Sequence, residues 1–70
     1  MGEEMQGTVD KFWKDRGWGF IAGDDGKNYF IHHTGIIGEG RKNLIPGQSV
    51  EFVPGENDKG KIAINVRAVQ

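Results

Sequence analysis

No stretch of this chain sustains helical periodicity. Its apolar residues come in short runs instead, each cut off by glycine or proline, and 12 of the 70 residues are glycine. Short apolar runs between turn residues are the pattern of an all-β domain. Five strands follow. The first spans about 6–13 with Val9 inward, the second about 17–23 and the third about 28–33. Gly23-Asp24-Asp25-Gly26-Lys27 has the composition of a turn between the second and third. The fourth spans about 48–53, with Val50 and Phe52 on one face, and Pro54-Gly55 ends it. The fifth spans about 61–69, where Ile62, Ile64, Val66 and Ala68 alternate with Lys61, Ala63, Asn65 and Arg67 in a period of two.

Residues 34–47 hold Gly35, Gly38, Gly40, Pro46 and Gly47, so no regular strand is expected there. Ile36 and Ile37 are expected to form one helical turn that plugs an end of the fold. Long irregular connections of this kind are often functional. Five short strands favour a small barrel, because closure removes exposed strand edges.

A chain of this length is one domain with a small core. It has no cysteine, which excludes disulfides and thiolate metal sites. Residues 1–5 are acidic, lack the apolar run of a signal peptide and are expected to be a disordered tail, leaving residues 6–70 as the domain. No apolar run approaches the roughly 18 residues needed to span a bilayer. These features fit a cytoplasmic protein. The net charge is −1, which argues against bulk attraction to phosphate as the main source of any nucleic-acid affinity. Distribution matters more than the sum. Lys11, Lys14 and Arg16 cluster, whereas most acids sit apart, at Glu3 and Glu4, Asp24 and Asp25, and Glu56 and Asp58. Asp10 and Asp15 are the exceptions. Charge patterning alone leaves a strand edge kept soluble by its charges as the lesser alternative.

The second and third strands carry the informative pattern. As an antiparallel hairpin with Phe20 opposite Phe30, Trp18 falls opposite His32, and these four share one face. Ile21, Tyr29 and Ile31 share the other. A thin domain buries only one face. The aliphatic face makes the better core, which leaves the rings exposed. An exposed ring cluster can stack on unpaired bases, each stack contributing roughly 1–3 kcal/mol whatever the base. Gly17 and Gly19 would let a nucleic-acid backbone approach between the rings. Arg16 and Lys11 would meet phosphates beside them. From the hairpin alone the rings could equally be ordinary core.

At this point Gly17-Trp18-Gly19-Phe20-Ile21 resembles the first ribonucleoprotein motif of cold-shock domains, and Tyr29-Phe30-Ile31-His32-His33 resembles the second. The resemblance continues through Gly38-Glu39-Gly40, Gly47-Gln48, Val50-Glu51-Phe52, Gly60 and Ala63-Ile64-Asn65-Val66, over residues 6–69 without a gap. It implies a five-stranded antiparallel barrel of the oligonucleotide-binding type that binds single-stranded RNA or DNA, often as an RNA chaperone. Arg16, Trp18, Phe20, Asn28, Phe30, His32 and Lys59 fall on the family's binding positions.

The chain departs from the family at definite places. Lys11 stands where a tryptophan is usual and Asp10 where a lysine is. His33 and Arg41 stand at aromatic positions, Asn28 at a common aspartate, and Trp13 where asparagine is common. Fewer stacks and more cations imply weaker binding with a steeper salt dependence, Lys11, His33 and Arg41 joining the binding set. Arg41 can contact phosphate or stack its guanidinium on a base. A stacking His33 would make binding strengthen as the pH falls from about 7.5 to 5.5.

His32-His33 is not expected to hold a metal, since neighbours on a strand face opposite ways and no cysteine or third histidine exists. No nucleophile, base and orienting group can be assembled, so neither enzyme activity nor a cofactor is expected. The leading expectation is a monomeric, sequence-tolerant binder of single-stranded RNA or DNA, with no membrane or small-molecule partner. The alternative is a protein-interaction module on the same barrel, its nucleic-acid face weakened at Asp10, Lys11, His33 and Arg41 and its rings serving as interface anchors.

Overall fold

A computed structural model of the chain describes residues 4–37 and 44–69. Five strands, β1 (Met5–Trp13), β2 (Trp18–Gly23), β3 (Asn28–His32), β4 (Ser49–Asn57) and β5 (Gly60–Ala68), close into a barrel in the order β1-β2-β3-β5-β4. All neighbours are antiparallel except β3 and β5, which run parallel with Phe30 beside Ile62 and complete the closure.

The hairpin β2–β3 has the expected register, Trp18 opposite His32, Phe20 opposite Phe30 and Ile21 opposite Tyr29. The turn between them is closed by Gly23 N–H to the Lys27 carbonyl at 2.8 Å, and Gly26 takes a positive φ. The face expected to be core is core. Ile21, Tyr29 and Ile31 are buried, together with Val9, Val50, Phe52 and Val66 and with Ile36, Leu44 and Ala63. The Tyr29 and Phe52 rings meet at its centre, 4.9 Å apart. Phe52 has no exposed surface, so truncating it to alanine costs about 3–5 kcal/mol.

Four local expectations are overturned. β4 does not stop at Pro54-Gly55 but continues to Asn57, paired with β5 throughout. The β1 pairing ends at Phe52, so Pro54 sits beside an open edge, where a residue without an N–H is tolerated. The period of two fails in β5, where Ala63 and Val66 are the buried pair and Ile64 is exposed. Glu51 pairs with Arg67 but Val53 with Ile64, so Phe52 faces both Asn65 and Val66. The extra residue is a bulge, and Asn65 accommodates it at φ 54°, in the left-handed region that asparagine tolerates better than most residues.

The helical turn lies at His33–Gly35 and does not include Ile36 and Ile37. Ile36 is bridged to Val66 and buried, while Ile37 donates its N–H to the Val66 carbonyl at 2.7 Å and exposes its side chain. Finally, β1 begins at Met5, opposite Phe52, and Met5 packs against the core. Of the tail expected over residues 1–5, Met5 therefore belongs to β1, and Glu4 just before it pairs with Arg67 at 2.8 Å; residues 1–3 lie outside the described residues.

Candidate nucleic-acid interface

β1 carries the second bulge, and it decides the composition of the outer face. Val9 pairs with Ile21 but Lys11 with Phe20, which leaves Asp10 as an extra residue. Val9 is buried, so plain alternation would also send Lys11 and Trp13 inward. The bulge reverses this. Phe12 turns in to pack against the core, and Lys11 and Trp13 turn out to join Phe20 and Trp18.

The resulting face is a continuous set of rings. Trp18 lies 6.0 Å from Phe20 and 5.9 Å from Phe30, and Phe20 lies 5.9 Å from Phe30. The contacts are tilted or edge-to-face, the arrangements that ring quadrupoles favour. Mutual packing leaves Trp18, Phe20 and Phe30 half-buried, less open than a fully exposed platform. Trp13, which the sequence reading left out of the site, is 37% exposed and stands 4.7 Å from Trp18 and 6.5 Å from Phe20.

His32 and His33 end the row. Their rings lie 4.5 Å apart, where strand alternation would put them on opposite sides. The strand stops at His32 and the chain enters the 3-10 turn, which brings the second ring round to the first. His32 Nδ1 meets the Thr34 hydroxyl at 2.9 Å and accepts the Thr34 N–H at 3.3 Å, fixing its ring. No third metal-ligating group joins them among the described residues.

The glycines act differently from what the sequence suggested. Gly19 is buried, and a Cβ there would collide with the Lys11 carbonyl oxygen and lie 2.7 Å from Phe12 Cα. Its missing side chain lets β1 and β2 close tightly and does not open space for a ligand. Gly17 ends the β1–β2 turn at φ 78°, donates its N–H to the Trp13 carbonyl at 2.7 Å and accepts the His33 N–H at 2.8 Å.

A cleft of about 870 Å³ borders the rings where β2 and β3 meet the β4–β5 turn. Phe20 and Phe30 form one wall, with Asn28, Lys59, Lys61 and Ile62 around it, and Asp58 adds an acid. Lys59 is placed by its N–H bond to Asn57 Oδ1 at 2.9 Å. Lys61 was not singled out in the sequence because the β5 pattern there looked purely structural. Lys11 and Arg16 are exposed, Arg16 in the turn that follows β1. Among the described residues ion pairs form only at Arg67, with Glu4 and Glu51, so the cations around the rings keep their charge unpaired. Arg41 lies outside the described residues.

A small closed barrel with a half-open ring face rimmed by unpaired cations defines the class: a nucleic-acid-binding β-barrel domain. Residues 5–69 match the family described as the 'Cold-shock' DNA-binding domain, and the chain belongs to the cold-shock domain family. It is 45% identical over 65 residues to "Probable cold shock protein A" of Mycolicibacterium smegmatis, covering 91% of this chain and 97% of that one. It is 45% identical over 60 residues to "Cold shock protein 1" of Lactiplantibacillus plantarum, covering 86% and 91%. With "Cold shock-like protein CspC" of Escherichia coli K12 it shares 42% over 67 residues, covering 94% and 97%. Its fold superposes on a solved structure of "drosophila Unr CSD456" with a TM-score of 0.81 at 21% identity, over 99% of this chain and 28% of that longer one. No helix of the described residues is long and apolar enough to cross a membrane.

Proposed function

We propose that the protein binds single-stranded RNA or DNA with little sequence preference and acts in the cytoplasm, as a monomer, as an RNA chaperone. The ring face carries this reading: Trp18, Phe20 and Phe30 lie within 6.0 Å of one another on one side of a barrel whose other side is core. Each ring offers a π-face that any base can cover, which accounts for sequence tolerance. His32 and His33 extend the row, and Lys11, Arg16, Asn28 and Lys59 supply charge and hydrogen bonds for phosphates and base edges; Arg41 is assigned with them. A strand held on the rings cannot pair, so weak hairpins melt by mass action. The chemistry needs no bond to be made or broken and no cofactor.

Tryptophan fluorescence tests it. A base stacked on Trp18 quenches the indole, and a Trp13→Phe variant isolates that signal. Titration with short oligothymidine or oligouridine in low salt is expected to quench it. Absence of quenching and of binding at tens of micromolar oligonucleotide would leave the protein-interaction module as the better account of the rings.

A further inference from the structure

The bulge at Asp10 places on the ring face an aromatic residue that neither the motif pattern nor the reading above assigns. Trp13 pairs with Trp18 across β1 and β2, and the residue is 37% exposed. Phe12 packs against the core, so strand alternation puts Trp13 on the opposite side, among the rings. Trp13 turns away from the core. It stands 4.7 Å from Trp18 at an interplanar angle of 55°, and 6.5 Å from Phe20 in an edge contact. The two indoles are tilted and not stacked flat, and Trp13 remains the more open of the two. Trp13 holds the outermost position on β1, directly before the turn that carries Lys14 and Arg16.

We infer that Trp13 is an additional base-stacking residue, one that lengthens the site by a nucleotide at its β1 end. This rests on the proposed binding of single strands. The bound strand runs from the cleft beside Phe20, Phe30 and Lys59, across Trp18, to Trp13. There the next phosphate meets the cations of the β1–β2 turn.

Anisotropy of labelled oligothymidines of increasing length, with a Tm for each variant, separates this role from packing. Trp13→Ala is expected to weaken binding by roughly five- to a hundredfold, the range for loss of one stack, and Trp13→Phe by much less. In the wild type, one step in the length series should raise affinity sharply, and that step should vanish in Trp13→Ala. A lowered Tm with an unchanged length series would overturn the inference and leave single-strand binding intact.

A second measurement does not depend on Trp13→Ala folding. In Trp18→Phe the indole of Trp13 is the lone reporter. Its emission is expected to be quenched in step with the anisotropy. Binding by anisotropy with unquenched Trp13 emission would refute its role, whereas no binding by any variant or by the wild type would remove the underlying reading as well.

Discussion

The Tyr29 hydroxyl donates a 2.6 Å hydrogen bond to the Asp25 carboxylate, tying the β2–β3 turn to a buried ring of the core. Asp25 also accepts the Lys27 N–H at 3.0 Å. The bond from Tyr29, with the Lys27 N–H and charge behind it, holds the Asp25 carboxyl below its usual range. The same bond, aided by burial, pushes the Tyr29 hydroxyl above the ordinary tyrosine value.

These shifts set the sign of a pH dependence. The lowered Asp25 contributes stability that is present above its unfolded pKa of about 3.9 and is lost as the pH falls through the lower folded value. The raised Tyr29 contributes stability that is present below about pH 10 and is lost as the pH rises through its folded value. Tyr29→Phe should therefore be less stable than the wild type near neutrality, and the two should converge towards both extremes. Thermal unfolding followed from pH 2 to 11 checks this. A constant gap between the two proteins at every pH would mean the bond is not what couples stability to protonation.

Gly17 is held by its positive φ and by His33. A Cβ there would lie 2.7 Å from His33 Cδ2. Gly17→Ala is expected to cost about 1–3 kcal/mol from the backbone conformation alone and to displace the His33 ring. Chemical denaturation measures the first and histidine chemical shifts the second.

The rings and the cations make separable contributions to binding. Phe30→Ala should weaken oligonucleotide binding by about 1–3 kcal/mol, the amount expected for one lost stack. Lys59→Ala should cost less in moderate salt, because its contact with phosphate is screened. Phe30 also supports Trp18 and Phe20, so each affinity is read beside the variant's Tm. The reverse order of effects would assign the affinity to charge.

Salt should act strongly for a chain whose net charge is only −1. If Lys11, Arg16, Lys59 and Lys61 each neutralise one phosphate, the log–log plot of affinity against salt has a slope of roughly −2 to −3. Lys11→Ala should flatten it by about 0.7. A slope near zero at high affinity would contradict the phosphate contacts.

The β2–β3 hairpin and the two faces of its alternation could be read from residues 18–32, while the choice of which face is core rested on the resemblance to cold-shock domains. Pairing there is local, the turn is short, and alternation survives from end to end. The closing parallel contact of Phe30 with Ile62 could not be read in that way, because it joins residues far apart in the chain. Nor could the passage of β4 through Pro54, which depends on which edge of that strand lies open.

Parity explains the remaining differences. A bulge inserts one residue and reverses every side chain beyond it, and whether it forms depends on the strand lying opposite. At Asp10, β1 must bend round the close approach of Gly19, and the reversal sends Lys11 and Trp13 out to the rings. At Asn65, two residues of β5 face Phe52, and the reversal buries Val66 while exposing Ile64. The chain's own order of residues established that there is a ring face and what lies behind it. Which residues complete that face was settled by the bulges, because the parity they impose comes from how each strand packs on the one opposite and not from the strand's own alternation.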